Sequence, residues 1–235
     1  PRIIHGNSLE KNVREYKESD RFDVILMNPP YGGNEKEGVK QNFPADLRSS
    51  ETADLFMSVI MYRLKQNGRC AIILPDGFLF GTDNAKMAIK ENLHTVIRMP
   101  HSVFAPYTSI TTNILFFDRT HPTTETWFYR LDMPEGYKNF SKTKPMKLEH
   151  FAPTVEWWDN REEITIDGFD KAKKYTVEEL KARSYNIDLC GYPHEEEEIL
   201  PPKELIQQYQ EKRASLNADI DRILAQITDI LGIDI

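Results

Sequence analysis

The sequence has few of the residues that make disulfide scaffolds, zinc sites or membrane spans. Its 235 residues include two cysteines, Cys70 and Cys190, which form no Cys-x-x-Cys pair and have no histidine cluster beside them. A disulfide framework and a structural zinc site are therefore excluded, and we expect reduced thiols and no metal. No run of about 18 apolar residues and no charged-then-apolar leader is present, which favours a cytoplasmic protein without a membrane span.

Basic charge is also in short supply. Aspartate and glutamate outnumber lysine and arginine by 37 to 30, which gives a formal net charge of −7. A stand-alone nucleic-acid-binding protein is typically basic, so we expect a partner to supply much of the attraction to any DNA phosphate. The 11 glycines form no Gly-x-Gly-x-x-Gly run, so no glycine-rich nucleotide loop of that kind is predicted.

Residues 1–131 alternate short apolar runs with amphipathic stretches, which is typical of strands joined by crossover helices. The predicted strands cover residues 2–5, 22–27, 69–74, 95–99, 111–117 and 126–131. Because the runs at 22–27 and 69–74 are almost continuously apolar, we expect strands buried on both faces in a mostly parallel sheet. The fold class predicted is α/β.

Two helices are predicted within this region. One covers residues 53–66, with Thr52 as its N-cap and an Asn-Gly pair as its stop, and the other covers residues 83–92. No helical stretch separates the strands at 95–99 and 111–117. An antiparallel pair is therefore expected to close the edge of the sheet.

The remaining chain divides into two further regions. Residues 132–193 mix polar and aromatic residues with several prolines and predict an irregular connecting region. Residues 194–235 begin with an acidic linker and continue as a long helix over 203–231. The apolar residues of this helix alternate four and three apart, which is the spacing of an assembly surface for a partner helix. They are Leu216, Ile220, Ile223, Ile227 and Ile230.

The tetrapeptide Asn28-Pro29-Pro30-Tyr31 stands directly after the apolar run 22–27, at the carboxyl end where open α/β sheets bind ligands. Proline has no N–H, so the loop offers acceptors without competing donors. The Asn28 side-chain oxygen and the Pro29 carbonyl could accept both N–H bonds of a planar amino group, while Tyr31 stacks on the base that carries it. The alternative is an ordinary turn with a rim aromatic.

The tetrapeptide resembles the catalytic motif of amino-group methyltransferases that use S-adenosylmethionine. Further segments, in the same order and spacing, resemble the modification (M) subunit of type I restriction-modification systems. They are Gly6-Asn7-Ser8-Leu9, Glu51-Thr52-Ala53-Asp54-Leu55-Phe56-Met57, Asn67 to Gly77, Thr111-Thr112-Asn113-Ile114-Leu115-Phe116-Phe117 and Tyr185-Asn186-Ile187-Asp188-Leu189. The resemblance covers most of the chain. It implies the S-adenosylmethionine-dependent methyltransferase fold and transfer of a methyl group to N6 of adenine in DNA.

The resemblance also implies roles for individual residues. Asn28, Pro29 and Tyr31 would be catalytic, and Phe104 would stack on the flipped adenine opposite Tyr31. Asn7 and Ser8, together with Asn28, would contact the cofactor. For Phe104, an ordinary core aromatic is the alternative.

The family's glycine-rich cofactor loop has no counterpart in this sequence, and the chain opens on a proline before an apolar run. We therefore expect a fragment of a longer protein that is inactive by itself. The resemblance implies double-stranded DNA, a specificity (S) subunit and a restriction (R) subunit as partners. Pairing of the terminal helix with a second copy is a further expectation.

Two other functions stay open at this point. An RNA or a protein glutamine amide presents a similar planar amino group, so a methyltransferase acting on either fits the motif. A non-catalytic assembly module that keeps a relic of the site is the other alternative.

Overall fold

The computed structural model describes residues 3–80, 93–120, 124–189, 191 and 202–231. The strands in these residues are β1 Phe22–Met27, β2 Leu64–Pro75, β3 Leu93–Arg98, β4 Thr112–Asp118, β5 Glu125–Arg130, β6 Ile164–Ile166 and β7 Phe169–Thr176. The helices are α1 Glu37–Lys40, α2 Thr52–Arg63, α3 Ala152–Asp159, α4 Val177–Ala182 and α5 Pro202–Leu231. Short 3-10 turns cover Val13–Glu15, Glu18–Asp20, Ala45–Leu47, Asp76–Phe80 and Leu148–Phe151.

The described strands form one mixed sheet of order β1-β2-β4-β3-β5-β7-β6. The pairs β1–β2 and β3–β5 are parallel, and the four other pairings are antiparallel. The α/β class is confirmed, whereas the expectation of a mostly parallel sheet is wrong. The predicted antiparallel pair exists, but β4 lies between β2 and β3 inside the sheet, because β5, β7 and β6 continue the sheet beyond β3.

Two of the predicted boundaries are also wrong. Residues 3–5 form no strand: Ile3 and Ile4 are 92% and 74% exposed, and no described strand pairs with them. The helix α2 ends at Arg63 rather than at residue 66, because Leu64 already pairs with β1. The predicted helix over residues 83–92 lies outside the described residues.

The Asn-Gly pair predicted to stop α2 lies within β2 instead. Asn67 has a φ of 63°, and its backbone N–H donates to the Arg119 carbonyl at 3.2 Å. Arg119 N donates in turn to the Gly68 carbonyl at 3.1 Å. The register of β1 against β2 shifts at this point, so the pair forms an irregularity in the strand rather than a helix end.

One face of β1 is open, contrary to the expectation that the strand is buried on both faces. Ile25 points into the core, while Val24 and Leu26 on the other face are 52% and 80% exposed. β1 is the end strand of the described sheet, so its outer edge has no partner there. Val24 and Leu26 border a cavity of about 640 Å³ that extends along this face to Trp127 and Trp158.

The buried face of the sheet packs on α2. The helix contributes Ala53, Met57 and Ile60 to a core that includes residues of β1, β2, β3, β4 and β5. Its other side covers a smaller cluster around Leu9 and Phe43. The amino end of α2 lies next to the chain that leaves β1 at its carboxyl end, where the candidate site lies, and its last residue, Arg63, leads directly into β2.

Residues 132–193 are more regular than the sequence predicts. They contain α3, β6, β7 and α4, and β7 pairs with β5 to extend the sheet. Trp157 of α3 is buried and packs on Tyr129 with ring centroids 4.5 Å apart. By contacts, the chain separates into one unit over Pro1–Pro193 and another over His194–Ile235.

The second unit contains the predicted long helix, α5, which is confirmed over Pro202–Leu231. The residues of its predicted apolar stripe are half or more exposed, apart from Ile227, which is 45% exposed. No described helix is both long enough and apolar enough to cross a membrane.

Candidate active site

The loop Asn28–Tyr31 leaves β1 at its carboxyl end, beside the parallel strand β2. Asn28 is exposed, Pro29 is buried and Tyr31 is half-buried. The loop therefore anchors itself through a proline ring and presents the asparagine amide to the outside. The position is the one that ligands take in open α/β sheets.

Within this loop the Tyr31 hydroxyl donates a hydrogen bond to Asn28 Oδ1 at 2.8 Å. Burial raises the pKa of the Tyr31 phenol to about 12, so the phenol is neutral and keeps its proton at physiological pH. An amide oxygen has two lone pairs. The acceptor predicted to receive an amine hydrogen is thus partly occupied by the loop's own aromatic residue.

The rings of Tyr31 and Phe104 meet edge to face, with centroids 5.9 Å apart and planes at 67°. The structure therefore brings together the two residues predicted to hold a base between them. A stacked base needs roughly 7 Å between the two ring planes, twice a carbon–carbon contact of about 3.5 Å. In the present geometry the rings touch each other, and one of them must move before a base can enter.

The loop that carries Phe104 is held by its own backbone and by a neighbouring segment. Tyr107 N and Thr108 N both donate to the Phe104 carbonyl, at 2.9 and 3.3 Å. Ser102, which is buried, accepts a hydrogen bond from Phe140 N through its Oγ at 2.9 Å. Phe104 therefore lies on a turn after β3 that these hydrogen bonds stabilise.

The chain after Tyr31 is fixed to α2. The Thr52 hydroxyl donates to the Gly33 carbonyl at 2.9 Å, and Thr52 N donates to the same oxygen at 3.3 Å. Gly33 has a φ of 98°, a conformation that L side chains rarely adopt, so glycine is needed there. Thr52 was predicted as the N-cap of α2, but Glu51 takes that position and the Thr52 side chain binds the loop instead.

Asn7 and Ser8, predicted to contact the cofactor, are both exposed. Asn7 Oδ1 accepts a hydrogen bond from Leu9 N at 3.0 Å and so closes a turn. Within the described ranges, the Asn7 amino group has no hydrogen-bond partner, which leaves it able to donate to a ligand. No hydrogen bond or ring contact joins these two residues to the Asn28 loop in the part of the chain that the structure describes.

A buried charge network, which the sequence did not predict, lies at the same edge of the sheet. Arg98 ends β3, is 2% exposed, and forms ion pairs with Asp188 and, at 3.4 Å, with Asp76. Its guanidinium also donates to the Gly191 carbonyl at 3.0 Å. Asn113 Nδ2 donates to Asp76 at 2.6 Å. The network ties the Tyr185–Leu189 segment to the ends of β2, β3 and β4.

The signal for this network was present in the sequence. Asp76, Asn113 and Asp188 all belong to segments that carry the family resemblance, and Arg98 is a lone charge in an apolar run. Because a buried charge needs a partner of opposite charge, the two aspartates in these segments were candidates to pair with Arg98.

Groups that could bind a metal are absent from the described parts of the chain: no cluster of three or more histidine, cysteine, aspartate or glutamate residues occurs there. Cys70 is buried, and burial raises the pKa of its thiol to about 12. This thiol is neutral and unreactive at physiological pH.

Comparisons with known proteins identify the family of the chain. The N-6 DNA Methylase family model matches residues 1–199. The chain is 43% identical over 239 residues to the methylase subunit of the type I restriction enzyme EcoEI from Escherichia coli, covering 98% of this chain and 47% of that protein. It is 29% identical over 144 residues to the EcoKI methylase subunit of the same species, covering 55% of this chain and 26% of that protein.

A solved chain from the type I R-M system is similar in three dimensions as well. It is 34% identical, superposes with a TM-score of 0.69, and covers 97% of this chain and 49% of its own length. The chain thus spans about half the length of the relatives that it matches throughout. The predicted resemblance to type I modification subunits and the predicted methyltransferase fold are confirmed, and the chain belongs to the N-6 DNA methylase family.

Proposed function

We propose that the methyltransferase containing this chain transfers a methyl group from S-adenosylmethionine to N6 of adenine in DNA, as the modification subunit of a type I restriction-modification system. The observation that carries the proposal is the exposed Asn28 amide at the carboxyl end of β1, with the Tyr31 and Phe104 rings in contact beside it. The relatives named for type I methylases support the choice of DNA.

The target adenine leaves the duplex and enters between Tyr31 and Phe104, which stack on its two faces. Asn28 Oδ1 and the Pro29 carbonyl accept its two N6 hydrogens. These acceptors draw the amine toward tetrahedral geometry, so its lone pair leaves conjugation with the ring and faces the methyl group. The new N–C bond would form as the methyl–sulfur bond breaks, which would leave the sulfur as a neutral thioether. A separate general base is not required before transfer, because the amine would lose its proton to water only after it has become cationic.

The described residues fit only part of a cofactor site. The free amino group of Asn7 is a suitable donor for an adenine edge, and Ser8 is exposed beside it. The family's glycine-rich loop has no counterpart in this chain. S-adenosylmethionine supplies an electrophilic sulfonium methyl group when bound.

The same proposal includes the partners and the location. Sequence recognition belongs to a specificity subunit and cleavage to a restriction subunit, while this chain presents the base-holding loop. The exposed stripe of α5 is the surface for assembly, with the specificity subunit or with a second copy of this chain. The cytoplasm is the proposed location, since genomic DNA is the substrate.

Product analysis tests the proposal. The full-length methyltransferase, assembled with its specificity subunit, is incubated with labelled S-adenosylmethionine and duplex DNA, and the digested DNA is analysed by mass spectrometry. We expect N6-methyladenine. Parallel reactions contain RNA or a glutamine peptide, and methylation of either in place of DNA would contradict the proposal. An assembled complex that methylates none of the three would indicate a non-catalytic module.

A further inference from the structure

A basic segment interrupts this acidic chain. Between Gly136 and Leu148 there are four lysines and no acidic residue, although the whole chain has a net charge of −7. The four are Lys138, Lys142, Lys144 and Lys147, and all four are exposed. We call residues 136–148 the lysine segment.

The lysine segment lies against the loop that carries Phe104. Phe140, at its centre, is 2% exposed and donates its backbone N–H to Ser102 Oγ at 2.9 Å. His101 Nε2 and Asn139 Oδ1 form a second hydrogen bond of 2.8 Å. Ser102 is two residues from Phe104, and two residues of chain span at most about 7 Å. The positive charges therefore flank the place where an extruded base would enter.

Hydrogen bonds hold the backbone of the segment, which fixes where its lysines leave the chain. Ser141 and Lys144 close a tight turn with two backbone hydrogen bonds of 3.0 and 3.2 Å, which places Lys142 at its tip. Lys144 Nζ donates to the Gly136 carbonyl at 3.1 Å and lies 3.7 Å from the Tyr137 ring centroid. Lys147 pairs with Glu149 at 3.3 Å.

Lys138 and Lys142 differ in this respect, because neither has an ion-pair partner among the described residues. The lysines of β7 provide a contrast. There Lys171, Lys173 and Lys174 each pair with a carboxylate, at 2.8, 2.8 and 3.0 Å. Two uncompensated ammonium groups beside the site attract an anion, and the polymeric anion of the proposed reaction is DNA.

We propose that Lys138 and Lys142 bind backbone phosphates of duplex DNA next to the extruded adenine; this rests on the proposed function. Contacts of this kind fix the position of the duplex without reading its sequence, because phosphates are the same at every base pair. Each neutralised phosphate releases counterions, so the contribution to affinity falls as salt rises. The chain would thus supply its own phosphate contacts at the site, although its net charge is negative.

The test is the salt dependence of DNA binding by the full-length methyltransferase assembled with its specificity subunit. In the double variant Lys138→Ala/Lys142→Ala, two lost contacts should lower the slope of log Kd against log salt by about 1.8, since each contact contributes about 0.9. If the variant and the unaltered protein bind DNA equally at 1 M salt, a slope difference of about 1.8 makes the variant bind roughly 30-fold more weakly at 0.15 M salt. The variant Lys138→Arg/Lys142→Arg should keep the slope of the unaltered protein.

A matched control removes two exposed lysines from the other edge of the sheet. Lys17 lies five residues before β1, and Lys181 lies in α4, five residues after β7. Because β7 runs antiparallel to β1, both lysines lie towards the amino end of β1, away from the Asn28 loop at its carboxyl end. Lys17→Ala/Lys181→Ala changes the net charge equally and should leave the slope unchanged. An equal loss of slope in both double variants would overturn the inference, since the effect would then be one of net charge.

Two other results would also overturn it. An unchanged slope in Lys138→Ala/Lys142→Ala, with DNA methylation by the unaltered enzyme intact, would reject the lysine contacts and leave the proposed function standing. The variant could instead lose the specificity subunit on size-exclusion chromatography, while the complexes that stay assembled keep the usual salt dependence of DNA binding. That result would show that the lysines bind an acidic surface of a protein partner. Failure of the unaltered enzyme to methylate DNA would instead reject the proposed function.

Discussion

The Tyr31 hydroxyl donates to Asn28 Oδ1 at 2.8 Å, so the aromatic residue predicted to stack on the base also binds the predicted acceptor. Tyr31 and Phe104 must separate from 5.9 Å to admit a base between them. If Tyr31 is the ring that moves, this hydrogen bond breaks as the base enters. The base-free site is therefore closed by contacts within the site itself.

The first prediction concerns this hydrogen bond. Tyr31→Phe keeps the stacking ring and frees Asn28, so the base no longer competes with a hydroxyl whose net bond contributes about 1 kcal/mol. We expect KM for DNA to fall several-fold with kcat nearly unchanged. Tyr31→Ala should instead raise KM, since base stacking contributes about 1 to 3 kcal/mol. Steady-state kinetics of the assembled methyltransferase measure both, and a large loss of kcat in Tyr31→Phe would show that the hydroxyl is needed in the reaction.

The second prediction concerns the acceptor. Asn28→Ala removes an oxygen that acts in the transition state, which should cost on the order of 3 kcal/mol, about a hundred-fold in kcat or more. Asn28 is exposed, and its lost hydrogen bond with Tyr31 contributes about 1 kcal/mol, so the fold should be kept and the melting temperature should fall by a few degrees at most. Single-turnover methylation and circular dichroism check the two parts. Near-normal turnover would contradict the mechanism.

Much of this site could be predicted from the sequence because it depends on local features. The run 22–27 fixes the strand, and the residues directly after it must lie at its carboxyl end. Only the family resemblance could predict that Phe104 lies close to Tyr31, since 72 residues separate them in the chain. The hydrogen bond between Tyr31 and Asn28 could not be predicted, because it depends on side-chain orientations within the loop.

The strand β7 shows why the rest of the sheet was missed. Lysines occupy three of its eight positions, and a charged, short segment does not show the apolar alternation of a buried strand. In the fold their charges are compensated by Asp132, Asp170 and Glu125. The net charge of the whole chain likewise does not show local differences, so it gave no sign of the unpaired lysines at 138 and 142.

The third prediction concerns the Arg98 network. Asp188→Ala removes an ion-pair partner of Arg98, whose side chain is only 2% exposed. Breaking a buried ion pair typically costs about 3 to 5 kcal/mol of the free energy of unfolding. Asp188 is partly exposed, so we expect the lower end of that range. The control is Asp23→Ala, which breaks the exposed pair with Lys65 and should cost less than about 1 kcal/mol. Urea denaturation measures both free energies, and equal effects would contradict a special role for the network.

The fourth prediction concerns Asp132 and pH. Burial raises the pKa of its carboxyl, but hydrogen bonds from Lys171 at 2.8 Å and Arg130 at 2.7 Å outweigh burial and hold the pKa below its ordinary value of 3.8. A carboxyl whose pKa is lowered by folding stabilises the fold above the ordinary pKa and loses that effect as pH falls through the folded value. The melting temperature of Asp132→Asn should therefore be lower than that of the unaltered protein at pH 7, and the gap should shrink below about pH 4. A gap that is independent of pH would show that charge is not involved.

The last prediction concerns α5, whose 30 residues span about 45 Å. Ile220 and Ile227 of its apolar stripe are 54% and 45% exposed, so water covers much of each side chain in the isolated chain. Burial of such a side chain contributes about 1.5 to 3 kcal/mol, which favours pairing with another helix.

Ile220→Asp/Ile227→Asp should abolish assembly while the melting temperature of the unit over Pro1–Pro193 stays the same. A matched control places two aspartates on the opposite side of the helix, at Ala218 and Ala225, and should assemble normally because those positions lie about 180° from the stripe at 100° per residue. Analytical ultracentrifugation with and without the specificity subunit measures the result. Loss of the specificity subunit alone would identify it as the partner of the stripe, and loss of a dimer of this chain would identify a second copy. Unfolding of the unit over Pro1–Pro193 in the aspartate variant would show that the stripe belongs to its core instead.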